Sequence, residues 1–218
     1  MTTGPSDGAS HITAGALRLI EARSENPITV DVASYIHALY ENCPFLEAAR
    51  TRGMTVWTIY EISPGAHQLA VEADLFHAGV QAAEWIRLLA RRQRGVPACD
   101  NIVMLDQALD ADHCGLMTWP HWALKNLYGP VGVMFGKFTK GTQESDRFGR
   151  SIPPAPFSFL PVRTAVRSMD PRFLKDTPDL AAALAAAKDD GRDVFEHIPC
   201  AWKAVREWAS SLPVPRKQ

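Results

Sequence analysis

The alternation of apolar and polar positions divides the chain into segments of helical or extended periodicity. Apolar residues recur every three or four positions through residues 66–93, which predicts the longest helix, and again through 201–212. Residues 54–62 (MTVWTIYEI) are rich in β-branched and aromatic side chains and predict a strand. Further helices are expected over 11–24, 29–41, 45–52, 119–127 and 179–188, and further strands over 101–109, 131–138 and 157–166.

The last two predicted strands enclose a proline-rich loop. Residues 131–138 contain Gly132 and Gly136, and a glycine inside a strand marks a bulge or the close approach of another backbone or a ligand. Pro161 interrupts residues 157–166, which predicts an edge strand or a kink. We interpret the pair either as the wall of a pocket or as a plain hairpin that covers a core.

This mixture of elements predicts an α+β fold, with a small, mainly antiparallel sheet and helices around it. A length of 218 residues is sufficient for one sizeable core, so a single domain is expected. Its expected boundaries are 13–212. Residues 1–12 are expected to be a disordered N-terminus, and 213–218 a C-terminal tail.

Composition narrows the class of protein. Apolar residues make up 46% of the chain and charged residues 22%, which is ordinary for a globular protein. The net charge of −1 gives no electrostatic footprint for nucleic acid. No apolar run is long enough to cross a bilayer, and the first residues lack the pattern of a secretory signal. The four cysteines form no CxxC pair, so reduced thiols and a cytoplasmic location are expected.

The sequence lacks the motifs of several common binding and active sites. There is no GxGxxG or GxxxxGK[ST] phosphate cradle, no HExxH or CxxC zinc pattern, and no GxSxG elbow. Asp110, Asp112 and His113 form an acidic cluster with a histidine. Solvation of a loop explains that cluster better than a metal site does.

Cys43 is the strongest candidate for chemistry. It precedes Pro44 at the predicted start of a helix, where free N–H groups and the helix dipole stabilise a thiolate. A thiolate can serve as a nucleophile or as an axial ligand of a haem iron, whereas the alternative is a small buried cap. Four helical histidines are alternative axial ligands or ordinary half-exposed residues: His37, His67, His77 and His121.

Arg163 lies inside an apolar predicted strand, and a cation there requires a carboxylate. That carboxylate comes from the protein, from a haem propionate or from a substrate. Nearby aromatic residues are suited either to a flat apolar cofactor or to core packing: Trp119, Trp122, Phe135, Phe138 and Phe159.

Taken in order, these motifs resemble a known family. The shared elements are Cys43-Pro44-Phe45, the strand with Gly132, Met134, Gly136 and Phe138, the loop prolines Pro154 and Pro156, Val162-Arg163, and finally Asp170, Phe173 and Leu174. The chain is similar in them to a bacterial and fungal family of haem N-oxygenases, formerly of unknown function, whose members include an enzyme that N-hydroxylates arginine.

The resemblance implies a haem-dependent monooxygenase of specialised metabolism. Such an enzyme oxidises a nitrogen of an amino acid or related amine and needs an electron donor; a homodimer is left open. Cys43, Phe45, Phe138 and Arg163 would contact the haem, with Cys43 on the iron. Thr164 stands where the family usually has histidine, so either Cys43 ligates the iron or no haem binds. The alternatives are a non-catalytic haem or small-ligand binding domain, and a cofactor-free enzyme with Cys43 as nucleophile.

Overall fold

The computed structural model describes residues 15–40, 49, 51–92, 97–106, 112–145 and 149–214. Five α-helices and seven strands occur in these ranges. They follow in the order β1 (Leu17–Ser24), α1 (Ala33–Tyr40), β2 (Thr55–Ile62), α2 (Gln68–Arg92), β3 (Cys99–Leu105), α3 (His113–Tyr128), β4 (Val133–Phe135), β5 (Glu144–Ser145), β6 (Ser151–Ile152), β7 (Ser158–Thr164), α4 (Pro178–Ala185) and α5 (Trp202–Ser211), with 3₁₀ helices at Gly129–Val131 and Asp170–Leu174.

Five strands form one sheet in the order β1-β2-β3-β7-β4, and β5 and β6 form a separate pair. The β2–β3 pairing is parallel and the other pairings in the five-stranded sheet are antiparallel. The predicted α+β class with a mainly antiparallel sheet is therefore confirmed. The parallel pair is joined through α2, so β2, α2 and β3 form a βαβ unit within the sheet.

The sheet has an apolar core on each face, because successive side chains of a strand point to opposite sides. Along β3, Ile102 and Met104 join the larger core with α2, α3 and α5, whereas Cys99 and Val103 join a smaller one. The smaller core packs α1 on an aromatic surface that includes Trp57, Phe157 and Phe159. In the described part of the chain, no helix has both the length and the apolar character needed to cross a membrane.

The prediction of a helix over 11–24 is wrong where the structure describes it, because Leu17–Ser24 is the edge strand β1. This segment contains good helix formers, but its backbone pairs with β2 from Leu17↔Ile62 to Ser24↔Trp57. Most of its side chains are exposed, so its own periodicity carries little information. Tertiary pairing overrides local propensity here.

The prediction that Pro161 marks an edge strand is also wrong, because β7 lies between β3 and β4. The Pro161 carbonyl accepts a hydrogen bond of 2.9 Å from the Gly136 N–H. In an antiparallel pair, the N–H and the C=O of one residue point to the same neighbouring strand. The N–H that Pro161 lacks would therefore point to Gly136, which lies beyond the end of β4. The β3–β7 ladder therefore loses no hydrogen bond. β4 and β7 pair antiparallel, as the hairpin interpretation requires, but β5 and β6 lie between them in the chain.

Two of the predicted segments lie outside the described residues. These are the expected disordered N-terminus, 1–12, and most of the expected helix over 45–52.

Candidate functional site

A cleft of about 570 Å³ opens at the carboxyl ends of the two parallel strands. Ile62 ends β2 and Asp106 directly follows β3, and each strand leads towards the first turn of a long helix, α2 or α3. Ligands of sheets with βαβ units bind preferentially at such an edge. We call it the carboxyl-end cleft; its walls are Ile62, Ser63, Pro64, Gly65, Ala66, Gln68, Val71, Asp106, Asp112, Gly115 and Leu116.

Two carboxylates and two helix N-termini define the electrostatics of the carboxyl-end cleft. The Asp106 side chain is 14% exposed, and Asp112 is exposed. Asp112 caps α3, because its Oδ1 accepts a hydrogen bond of 2.9 Å from the Gly115 N–H. The first-turn N–H groups of α2 and α3 point towards this end of the helices and give it a partial positive charge. His67 caps α2, because the Leu69 N–H donates to its Nδ1 at 3.2 Å and the Ala70 and Val71 N–H groups donate to its carbonyl. The cleft therefore presents two carboxylates for a cation beside the positive ends of two helix dipoles.

Behind the cleft wall, Asp106 contacts a buried histidine. His113 Nε2 is 3.6 Å from Asp106 Oδ2, and His113 Nδ1 is 2.8 Å from Ser158 Oγ. Ser158 Oγ also accepts a hydrogen bond of 2.9 Å from the Lys140 N–H. The Ser158 hydroxyl therefore joins the His113 ring to the backbone at Lys140.

The groups Asp106, His113 and Ser158 are those of a hydrolase triad, but their arrangement differs. Ser158 is completely buried, so its oxygen is not accessible to a substrate. The serine also contacts Nδ1 and the carboxylate faces Nε2, the reverse of the usual triad. The network therefore ties the start of α3 to β7 and places the His113 ring beside Asp106 at the cleft wall.

The structure places two of the four predicted cofactor-binding residues, whereas Cys43 and Phe45 lie outside the described residues. Phe138 stacks on Phe159, with ring centroids 4.7 Å apart and planes within 5°. Arg163 lies four residues farther along β7, on the same face as Phe159 and about 13 Å away at the usual rise of a strand. Phe138 and Arg163 thus border one face of the sheet, separate from the carboxyl-end cleft.

The carboxylate that Arg163 meets in the structure belongs to the protein. Its two terminal nitrogens lie 2.9 and 2.6 Å from the two oxygens of Asp170, a bidentate ion pair. Asp170 is completely buried and also accepts a hydrogen bond of 2.6 Å from the Val166 N–H. Of the alternatives predicted for Arg163, this geometry favours the internal pair. At the end of β7, the Thr164 N–H donates a hydrogen bond of 3.1 Å to the Ala98 carbonyl, and the Thr164 hydroxyl oxygen accepts one of 3.3 Å from the Ala98 N–H.

A haem iron in the carboxyl-end cleft would find no axial ligand in its described walls. An axial ligand comes from cysteine, histidine, methionine or tyrosine, and the walls of the carboxyl-end cleft contain none of these. On the aromatic surface of the smaller core, the rings already contact one another, as Trp57 does with Phe157 at 5.9 Å and Tyr35 with Phe159 at 6.1 Å. These rings pack as a core, and ligation of iron by Cys43 stays a prediction.

The described histidines and the acidic cluster are placed as follows. His37, His67 and His77 are exposed, and the ring nitrogen Nε2 of His121 is 3.3 Å from the Phe135 carbonyl oxygen. Asp110 lies outside the described residues, while Asp112 caps α3 and His113 faces Asp106. Within the described ranges, no three or more His, Cys, Asp or Glu side chains are grouped so as to hold a metal ion.

Sequence reasoning missed Asp106 and Ser158. A signal for Asp106 was present, since an acidic residue directly after a strand that leads to a helix lies at the carboxyl edge of the sheet. Ser158 carried none, because only the β3–β7 pairing brings it to His113, 45 residues earlier in the chain.

Comparison with known proteins gives one match. No curated protein and no solved structure matches the chain. A family model described as "Domain of unknown function (DUF6875)" matches residues 41–192, which is more than half of the chain and includes the walls of the carboxyl-end cleft, the Asp106–His113–Ser158 network and the Arg163–Asp170 pair. The chain therefore belongs to the DUF6875 family.

Proposed function

We propose that this chain is an enzyme that oxidises the nitrogen of an amino acid or a related amine, and that the carboxyl-end cleft, whose described walls carry no iron ligand, is a binding site for such a compound apart from the haem. The observation that carries the choice of ligand is the pairing of carboxylates with helix N-termini in one cleft. An ammonium group would lie against Asp106 and Asp112, and a carboxylate of the ligand would lie at the N-terminal end of α2, where the helix dipole favours negative charge. A zwitterion complements both halves of this surface.

The His113 network supports this role through position. The His113 imidazole, which is fixed by its 2.8 Å contact with Ser158, lies 3.6 Å behind the Asp106 carboxylate and limits the space in which that carboxylate can move. Ile62 and Val71 also line the cleft and would pack against the aliphatic part of the ligand.

For the reaction we propose haem-dependent N-oxygenation, and its support is the order and spacing of the motifs from Cys43 to Leu174. Haem would supply the oxygen chemistry, and an external donor would supply electrons. The residue proposed for the iron is Cys43. A cytoplasmic location is part of the same proposal.

Two experiments test the proposed cofactor and the proposed ligand site separately. An absorption spectrum of the purified protein, followed by titration with haem, tests the cofactor, and absence of a Soret band would reject haem binding. Calorimetric titration with a panel of amino acids and amines tests the cleft. Asp106→Asn should weaken binding about 10-fold or more, since a hydrogen bond to a charged group contributes about 1.5–3 kcal/mol.

The matched control is Asp179→Asn, an exposed aspartate in the first turn of α4. It removes the same charge from a helix N-terminus away from the cleft and should leave binding unchanged. Equal affinity of wild type and Asp106→Asn for every ligand that binds would reject the cleft as the site. Binding in the cleft without a Soret band would favour a haem-free ligand-binding domain.

A further inference from the structure

Few hydrogen-bond donors in the wall of the carboxyl-end cleft are open to the carboxylate of a ligand. The N–H groups of residues 69–71, at the start of α2, all donate to His67. Among the described wall residues, side chains with an N–H or O–H group occur only at Ser63 and Gln68. The Ser63 hydroxyl donates to the Gly15 carbonyl at 2.8 Å. Gln68 is therefore the wall side chain from which a ligand would take a hydrogen bond.

Gln68 is the first residue of α2; it is exposed and lines the cleft. Its Nε2 donates a hydrogen bond of 2.9 Å to Oε1 of Glu72, one helical turn farther along. A carboxylate accepts hydrogen bonds and does not donate them, so the nitrogen of the amide, and not its oxygen, faces Glu72. This nitrogen carries two hydrogens, and within the described ranges the second has no acceptor. One oriented N–H group is thus left for a ligand.

Glu72 is held in place from the side of α5. It is completely buried, and its Oε2 lies 3.3 Å from Nε of Arg206. A buried carboxylate without a cation is strongly unfavourable, so the pair with Arg206 keeps Glu72 in this position. The Glu72 carboxylate joins Arg206 to Gln68 and determines which way the Gln68 amide is turned.

We propose that Gln68 is a specificity-determining residue of the carboxyl-end cleft, and that Glu72 and Arg206 are its positioning residues. The second N–H of Gln68 donates to the ligand carboxylate at the positive end of α2. Because this role rests on the proposed function of the cleft, it narrows the ligand to an amino acid rather than an amine without a carboxylate. Asp106 and Asp112 face the ammonium group that both kinds of compound carry, so they do not distinguish between them.

Calorimetric titration of the whole chain with matched pairs of compounds tests this role. Each pair is an amino acid and the amine that lacks its carboxylate: leucine with isopentylamine, phenylalanine with phenethylamine, and lysine with cadaverine. Wild type should prefer the amino acid. Gln68→Met should reduce this preference about 10-fold or more, the loss expected for one hydrogen bond to a charged group, and should leave the affinity for the amine unchanged.

The matched control is Gln81→Met, at an exposed glutamine about 20 Å farther along α2. It should keep the wild-type preference. If Gln68→Met also keeps that preference, or weakens both members of a pair equally, the specificity role is overturned.

Asp106→Asn separates this role from the proposed function of the cleft. If no compound binds, or if Asp106→Asn leaves every affinity unchanged, the proposed function of the cleft fails and the role of Gln68 falls with it. If Asp106→Asn weakens both members of a pair while Gln68→Met keeps the preference, the cleft stands as the site and only the role of Gln68 is wrong.

A double-variant cycle tests the positioning residues. Glu72→Gln removes the charged acceptor of the Gln68 amide and should reduce the preference for the amino acid several-fold. Added to Gln68→Met it should cause no further reduction, because Glu72 acts through Gln68. Arg206→Met, at a side chain that is 34% exposed, should reduce the preference in the same direction. Additive effects in the double variant, or an unchanged preference in both Glu72→Gln and Arg206→Met, would overturn the positioning roles.

Discussion

Replacement of Asp100 by asparagine should stabilise this protein at neutral pH, although it removes a buried charge that has partners. Asp100 is on β3 and is 1% exposed. The Thr58 hydroxyl donates a hydrogen bond of 2.8 Å to its Oδ1, and Arg23 Nε lies 3.5 Å from its Oδ2. The Arg23 side chain is 41% exposed, so water screens this ion pair. Burial therefore outweighs the partners and raises the pKa of Asp100 to about 6.

The size and sign of this change in stability follow from the linkage between proton binding at Asp100 and folding. The ordinary pKa is 3.8, so the folded state keeps the proton at pH values where the unfolded chain has lost it. The stabilising contribution is fully present below pH 3.8 and is lost as the pH rises through about 6. A difference of about two pKa units corresponds to about 3 kcal/mol. Asparagine cannot ionise and still accepts from Thr58, so it should recover up to about 3 kcal/mol above pH 7 and almost nothing at pH 4.

Urea denaturation of wild type and Asp100→Asn at pH 4, 5.5 and 7.5 measures this difference. The exposed Asp176→Asn is the control and should change the free energy of unfolding little at any pH. A variant that is less stable than wild type at pH 7.5, or a difference that stays constant from pH 4 to 7.5, would refute the reasoning. Asp100 would then be a net stabilising partner of Arg23.

Three further predictions concern the candidate sites. Arg163→Met leaves Asp170 buried without its cation and should lower the free energy of unfolding by about 3–5 kcal/mol in urea, with part of the loss restored by adding Asp170→Asn. Because the pKa of His121 is lowered to about 3, its ring nitrogens should show the NMR chemical shifts of a neutral imidazole at pH 5. Its contribution to the free energy of unfolding should be lost as the pH falls from 6.5 towards 3. An imidazolium signal at pH 6 would contradict this prediction. If Cys43 ligates haem, the ferrous carbon monoxide complex should show the red-shifted Soret band of thiolate haems, and Cys43→Ser should abolish it; a globin-like band that is unchanged in Cys43→Ser would identify a histidine ligand.

The sequence by itself determined the elements whose composition or period agrees with their burial. Residues 54–62, 66–93 and 201–212 were predicted, and Thr55–Ile62, Gln68–Arg92 and Trp202–Ser211 are observed. In the two helices burial follows the helical period, whereas β2 enters both cores and is indicated by its β-branched and aromatic residues. The α+β class could be predicted for the same reason.

Only the tertiary structure decided the elements whose partners lie far away in the chain. Leu17–Ser24 is a strand because β2 offers an edge, and Pro161 is tolerated inside the sheet because β4 ends before it. Neither condition is visible in a local window. The energy of strand pairing depends on two segments, whereas secondary-structure propensity is a property of one segment alone.

The candidate sites depend on the same kind of information. A carboxylate partner for Arg163 could be predicted, since a buried cation requires one, but only the turn after β7 identifies it as Asp170. The carboxyl-end cleft exists because β2 and β3 run parallel, which brings Asp106 and the starts of α2 and α3 to one edge. Ser158 reaches His113 through the β3–β7 register. Residue types determine which chemistry is available, and the strand order determines which of those residues meet, because contacts across a sheet join segments that are distant in sequence.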